Sequence, residues 1–326
     1  MKPTVFVTRK LPDKSIAVLK DQFEVRMWEE EEIPVPKEVL FAEVENAEAL
    51  FTVVSDPVNE ELLSVGKNLK VVANMAVGYD NIDVEAATKR GILVCNTPDV
   101  LTETTADLTF GLLLATARRV VESAEFIKQG KWQSWSPFLL AGHDVHHKTI
   151  GIYGMGKIGE AVAQRAKGFG MEILYHNRTR KPEAEKVLGA KYCSFEELLE
   201  LSDFVVAMAP LTNETKHIFN AEVFSKMKSS AIFINSSRGA VVDEEALYQA
   251  LIHNVIAGAG LDVFEKEPIA QDHPLLSLIN VTALPHIGSA TIETRMSMIQ
   301  ICVDNIQRIL TGKTPRTLVN RSLLSE

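Results

Sequence analysis

The sequence predicts an α/β protein of two doubly wound parallel-sheet domains. Three observations carry that expectation. Short apolar runs alternate with helical patterns over the first hundred or so residues. The alternation resumes over residues 149–289, opening on a glycine-rich turn between an apolar strand and a helix. Between the two lies Thr97-Pro98, a hinge signal, because proline removes a backbone donor and biases its predecessor toward extended structure.

The elements follow in order. Strands are expected at residues 5–8, 23–28, 49–54, 69–75 and 92–95, and helices at 11–20, 36–44, 58–65 and 83–90. Alternation of this kind implies a parallel sheet covered by helices. One long helix is expected at 101–129; its apolar residues lie on most faces, which suits burial between domains or subunits. Trp132, Trp135, Pro137 and Phe138 then fall in a loop, where aromatics at this density suggest an interface. The second domain has strands at 149–153, 171–175, 204–208, 231–234, 256–261 and 281–283. A final helix at 291–310 carries an apolar face that returns to the first domain. The division is therefore residues 1–98 plus 290–326, and 99–289.

At 326 residues the chain is long enough for two cores, and 46% hydrophobic with 24% charged residues is ordinary for a soluble globular protein. The net charge of -9 argues against non-specific binding to nucleic acid. Glu29 to Glu32 read as a solvated loop. The first residues lead straight into a strand with no signal-peptide pattern, and the apolar run at 108–117 is too short to span a bilayer. Cys95, Cys193 and Cys302 are widely separated, which suggests reduced thiols in a cytoplasm. His143, His146 and His147 cluster, but only Asp144 accompanies them, so no metal site is expected.

The turn Gly154-x-Gly156-x-x-Gly159 has the spacing of a dinucleotide-binding loop. Gly154 allows the tight turn, Gly156 lets backbone approach a pyrophosphate, and Gly159 lets helix pack on strand. Met155, Lys157 and Ile158 complete the loop, whose helix N-terminus offers N–H groups to phosphate. After the next strand, an acid would select a free ribose 2′-hydroxyl. Here stand Asn177, Arg178, Thr179 and Arg180, a set suited to a 2′-phosphate. NADPH is therefore expected over NADH, with NADH still possible. Pro210, Thr215, Ser236, Ser237 and Gly288 complete the cofactor-side set.

Ligands of doubly wound sheets bind beyond the carboxyl ends of the strands. Arg238, Asp262 with Glu267, and His286 follow three successive strands there. This set suits hydride transfer to an anionic carbonyl compound. His286 donates the proton, Glu267 favours its charged form, Arg238 binds carboxylate and carbonyl oxygen, and Asp262 holds the nicotinamide or its ribose. In the first domain, the turn from Ala76 to Asp80, opened by Gly78, could form an anion-binding nest. Substrate size is expected to depend on the loop around Val54-Ser55, on Val77 and on the tryptophans.

These residues resemble the D-isomer-specific 2-hydroxyacid dehydrogenase family. The resemblance is carried by NMAVGYDNID, by NTPDVLTETTADLTFGLLLATARR, by GIYGMGKIG, by INSSRGAVVDEEAL, by LDVFEKEP and by LPHIGSAT. Within the family the chain is most similar to the glyoxylate/hydroxypyruvate reductase branch, which includes 2-ketogluconate reductases. The resemblance implies a Rossmann cofactor domain inserted into a flavodoxin-like substrate domain. It implies catalysis by Arg238, Glu267 and His286, carboxylate binding by the Val77 and Gly78 backbone, and a homodimer. Ser55 and Trp135 are then candidates for shaping the substrate site, Trp135 from a partner subunit. Met208 departs from the histidine or asparagine frequent there in the family. Glu267, where formate dehydrogenases lack the acid, argues against that activity. The competing readings are an NAD-dependent D-2-hydroxyacid or phosphoglycerate dehydrogenase and a cofactor-sensing corepressor of the C-terminal binding protein type.

Overall fold

A computed structural model describes residues 2–324. Packing divides the chain into two compact units, one running to Leu101 and resuming at Ala290, the other Thr102–Ser289.

In the first unit, β1 (Thr4–Val7), α1 (Ala17–Gln22), β2 (Glu24–Met27), α2 (Lys37–Glu45), β3 (Ala49–Val53), α3 (Glu60–Val65), β4 (Val71–Met75), α4 (Val84–Lys89) and β5 (Leu93–Cys95) alternate as expected. All strands are parallel in the order β2-β1-β3-β4-β5, the flavodoxin-like order. Successive strand residues point to opposite faces, and both faces are covered. Phe6, Leu50, Val72 and Val94 join one core cluster, while Val5, Val7, Phe51, Val71 and Ala73 are buried beside them. Asn59 and Asp83 cap α3 and α4 through their side chains. The carboxyl-terminal tail is tied into this sheet. Asn320 accepts from the Val94 N–H at 2.9 Å and donates to the Ile92 carbonyl at 2.8 Å. Cys95 is buried there, and burial pushes its thiol up to about 12.

The second unit contains α5 (Thr102–Ala117), α6 (Val120–Lys128), β6 (Thr149–Tyr153), α7 (Lys157–Gly168), β7 (Glu172–His176), α8 (Pro182–Leu188), β8 (Lys191–Tyr192), α9 (Phe195–Leu201), β9 (Phe204–Ala207), α10 (Ala221–Ser225), β10 (Ile232–Asn235), α11 (Glu244–Ile252), β11 (Gly258–Leu261) and β12 (Val281–Ala283). Its seven parallel strands run β12-β11-β10-β9-β6-β7-β8. The order reverses between β6 and β9, and ligands bind at such a switch point. Pleat alternation again divides the core. Phe204, Val206, Ile232 and Ile234 face α5 and α7, while Val205, Ala207 and Phe233 face the other cluster. The last helix, α12 (Ile292–Leu310), belongs to the first unit and packs on β3, β4 and α1.

The single helix expected over 101–129 is two helices. Arg119 takes a left-handed backbone (φ 52°), and its guanidinium grips Glu122 at 2.7 and 2.8 Å. The Ala117 carbonyl, which a continuing helix would use internally, accepts the His143 N–H at 2.8 Å. Gly142 makes that approach possible, since a Cβ there would lie 2.2 Å from the Ala117 oxygen. Only α5 has the expected burial; α6 has no buried residue and exposes Val120, Val121 and Ile127. Trp132, Trp135 and Phe138 follow with 56%, 78% and 85% of their surface exposed. No helix among the described residues is long and apolar enough to cross a membrane.

The helix break therefore depends on Gly142. Gly142→Ala is expected to destabilise the protein by about 1–3 kcal/mol, as overpacking does. Chemical denaturation checks this, and an unchanged unfolding midpoint would show that the break forms without Gly142.

Candidate active site

The glycine turn stands at the switch point after β6, and each glycine meets a different demand. Gly154 has φ 108°, and a Cβ would lie 2.5 Å from the Ala209 nitrogen of the segment after β9. At Gly159 a Cβ would lie 2.4 Å from the Gly154 oxygen. Gly156 differs, because a Cβ there meets no protein atom within 4 Å. The open space beside Gly156 is what a pyrophosphate approaching the backbone requires. The neighbouring helices α9, α10 and α11 are capped by Ser194, Asn220 and Asp243, whereas α7 starts at Gly156 with no side-chain cap. The N-terminus of α7 is suited to an anion.

Beyond β7, the four residues associated with the ribose do different things. Asn177 turns inward, its Oδ1 accepting the Met155 N–H at 2.8 Å and its amide donating to the Met155 carbonyl at 3.3 Å. It thereby braces the glycine turn, a role not read from the sequence. Arg178 and Thr179 are exposed. The charge of Arg178 reaches Tyr153 and Glu214. Arg180 forms a two-pronged ion pair with Glu185, Nε to Oε1 at 2.6 Å and Nη2 to Oε2 at 2.8 Å.

The chemistry-bearing residues follow β10, β11 and β12 and are linked by hydrogen bonds. Asn235, the last residue of β10, donates to the Arg238 carbonyl at 2.9 Å, and its own carbonyl accepts the Asp262 N–H at 2.9 Å. The Asp262 carbonyl accepts the His286 N–H at 2.8 Å. This holds His286 in a left-handed backbone (φ 53°), a strained conformation that persists where surrounding bonds enforce it. His286 Nδ1 then meets Glu267 Oε2 at 2.7 Å, and Glu267 Oε1 accepts the Phe264 N–H at 3.0 Å. Burial pushes the Glu267 carboxyl up, but the His286 hydrogen bond and charge, the Phe264 N–H and the Arg238 charge together hold it below the ordinary carboxylate value. Gly239 lets the Arg238 loop press on this turn, since a Cβ there would lie 1.8 Å from the Phe264 carbonyl carbon.

Asp262 is buried, and burial pushes its carboxyl above the ordinary value. Its Oδ1 accepts the Ile287 N–H at 2.8 Å, while Oδ2 is buried without a hydrogen-bond partner. An orphaned buried acceptor is costly, and a carboxamide N–H would satisfy it. Gly288 leaves room beside it, its Cβ position being 3.3 Å from that oxygen. The open cradle at Gly156 fits the central pyrophosphate of a dinucleotide, and this acceptor fits a carboxamide at one of its ends. Asn235, whose contribution sequence reasoning missed, could have been noticed as a polar residue ending an apolar strand.

Other expected residues are engaged locally. The Thr215 hydroxyl donates to the Pro210 carbonyl at 2.7 Å and closes its own turn. Ser237 donates to Asn235 Oδ1, and the Ser236 hydroxyl lies 2.6 Å from that of Thr109. In the first unit, Asn96 holds the Val77 carbonyl at 2.8 Å and Asn74 holds the Gly78 carbonyl at 3.1 Å. Because a trans peptide sets N–H opposite C=O, the Gly78 and Tyr79 N–H groups point away from these asparagines. Ser55 is exposed and its hydroxyl accepts from Arg9 at 3.2 Å. Among the described residues, no three His, Cys, Asp or Glu side chains group as a metal ion requires.

The chain is similar to known proteins over its whole length. Residues 110–288 match the family described as D-isomer specific 2-hydroxyacid dehydrogenase, NAD binding domain. The chain is 51% identical to a glyoxylate reductase of Thermococcus onnurineus, over 100% of this chain and 98% of that one. It is 50% identical to a glyoxylate reductase of Korarchaeum cryptofilum, over 99% and 98%. Among solved structures, an NADPH-dependent glyoxylate/hydroxypyruvate reductase from Sinorhizobium meliloti, in complex with NADP and malonate, matches with a TM-score of 0.86. That pair shares 35% identity over 99% of this chain and 98% of the other.

Two glycine substitutions separate folding from binding. Gly154→Ala is expected to destabilise the protein by more than about 1 kcal/mol, because it meets both strain and a clash. Gly156→Ala is expected to leave stability unchanged and to weaken nucleotide binding about tenfold, roughly 1.4 kcal/mol. Thermal unfolding and nucleotide fluorescence titration check the pair; equal behaviour of the two variants would contradict the assignment.

Proposed function

The chain belongs to the D-isomer-specific 2-hydroxyacid dehydrogenase family, and we propose that it is an NADPH-preferring reductase of small 2-oxo acids, making D-2-hydroxy acids. Glyoxylate is the leading substrate, with hydroxypyruvate and 2-ketogluconate in the same class. The observation that carries this reading is the His286–Glu267 hydrogen bond at 2.7 Å, at the strand ends of a dinucleotide-type sheet. The half-identical relatives named glyoxylate reductase support the substrate class.

The reduced nicotinamide, when bound, supplies a hydride to the carbonyl carbon. The protein's own residues do the rest. Asp262 Oδ2 would hold the carboxamide N–H. Arg238 binds the substrate carboxylate and draws charge onto the carbonyl oxygen. His286 has Nδ1 engaged with Glu267, so Nε2 is the nitrogen that passes a proton to that oxygen. Glu267 keeps the ring oriented. In the first unit, the turn at Val77 and Gly78 anchors the carboxylate, and Ser55 bounds the substrate's far end. Arg178, Thr179 and Arg180 receive the 2′-phosphate. The exposed Trp132, Trp135 and Phe138 segment joins two copies into a homodimer and lets Trp135 help shape the partner's site.

An initial-rate panel of glyoxylate, hydroxypyruvate, 2-ketogluconate and pyruvate, with NADPH and with NADH, tests the proposal. Fastest turnover is expected with glyoxylate or hydroxypyruvate and NADPH; no oxidation of either nucleotide with any acid would end the reductase reading. His286→Gln is expected to lower kcat by about a hundredfold or more, the range of a lost general acid. Near-normal turnover in that variant would remove His286 as proton donor.

A further inference from the structure

Each basic residue of the loop after β7 has an acidic counterpart. Lys181 Nζ lies 4.0 Å from Glu160, and the charge of Arg178 reaches Glu214. The pair formed by Arg180 and Glu185 is much closer and is built into the fold. Glu185 sits on α8 with a largely covered side chain, while Arg180 is mostly exposed. Tyr175, fully buried on β7, donates its hydroxyl to Glu185 Oε1 at 2.7 Å. The same hydroxyl oxygen accepts the Lys181 backbone N–H at 2.7 Å. Strand, loop and helix therefore hold the carboxylate, and the carboxylate holds the arginine.

The pairing has a chemical consequence. It engages the Nε/Nη2 edge of the guanidinium, an edge with which arginine can clamp phosphate bidentately. It also sets a negative charge directly behind the group that would receive the 2′-phosphate. The hydrogen bond from Arg180, with that from Tyr175 and the Arg180 charge, outweighs burial and brings the Glu185 carboxyl down to about 2. The carboxylate is thus ionised throughout the working pH range.

We infer that Glu185 sets the nucleotide selectivity of this enzyme by competing with the 2′-phosphate for Arg180 and opposing its charge. NADPH is favoured by Arg178 and Arg180, Glu185 restrains that preference, and NADH therefore remains usable. This rests on the proposal that Arg178 and Arg180 face the 2′-phosphate. NADH carries no phosphate at that position, so its binding is indifferent to Glu185.

The test compares the whole enzyme with its Glu185→Gln and Arg180→Gln variants. KM, kcat and fluorescence-derived dissociation constants are measured for NADPH and NADH. Glu185→Gln keeps the side-chain size, removes the charge and replaces one acceptor oxygen with a donor, so the two-pronged hold on Arg180 is broken. It is expected to lower the NADPH KM and dissociation constant by about three- to fivefold, a screened two-charge effect across several ångströms. NADH constants and kcat should be unchanged, and the gain should shrink with added salt. NADPH constants that stay constant or rise would overturn the inference, as would equal shifts for both nucleotides. If Arg180→Gln weakens NADPH while Glu185→Gln does not strengthen it, the inference fails and the 2′-phosphate reading survives. If Arg180→Gln leaves NADPH binding unchanged, both fail.

Discussion

The site depends on one constraint, the parallel register of the seven-stranded sheet. Asn235 pairs with Ala207 on one side and Leu261 on the other, Leu261 pairs with Ala283, and Tyr153 pairs with Ala207. Every strand thus ends at one edge, and the residues that follow emerge together. Arg238, Asp262 and His286 are far apart in sequence, yet they are linked there through backbone. Both faces of the sheet are closed by apolar packing, so the edge is the place where polar groups can meet a ligand.

A run of hydrogen bonds then converts register into chemistry. It passes from the Arg238 carbonyl through Asn235 and Asp262 to His286, and on to Glu267 and the Phe264 N–H. Partly buried charges are expensive unless partnered. Glu267 is partnered by His286 and by a backbone N–H, and the Arg238 charge acts on it too. Asp262 keeps one buried oxygen without a hydrogen-bond partner, a cost that a ligand's N–H would relieve. The strained backbone of His286 is of the same kind, local cost held in place by its neighbours.

Much of this was legible in the sequence because the signals are local. The glycine turn, the strand before it and the residues after β10, β11 and β12 each lie within a few positions of the pattern that marks them. Three features were not legible, for a shared physical reason. Arg118 and Arg119 are good helix formers, and nothing near them announces a break; Gly142 and His143 impose it from far along the chain. Arg178 and Arg180 read as a phosphate site, but the fork between Arg180 and Glu185 depends on where α8 places its acid. Asn177 likewise read as the absence of an acid, whereas its side chain braces Met155. Local pattern names the element, and the non-local partner decides what its side chains do.

The central claim is that Glu267 holds the His286 ring through Nδ1, so that Nε2 is the nitrogen presented as proton donor. Burial pushes the Glu267 carboxyl up, but the His286 hydrogen bond and charge, with the Phe264 N–H and the Arg238 charge, outweigh it, so the carboxylate is present at neutral pH to accept from Nδ1. The most direct measurement is kcat and KM for glyoxylate reduction by the native enzyme, Glu267→Gln and Glu267→Ala. The account predicts a fall in kcat of about tenfold or more in Glu267→Ala, roughly 1.4 kcal/mol, a smaller fall in Glu267→Gln, and little change in KM. A native kcat in Glu267→Ala would contradict it.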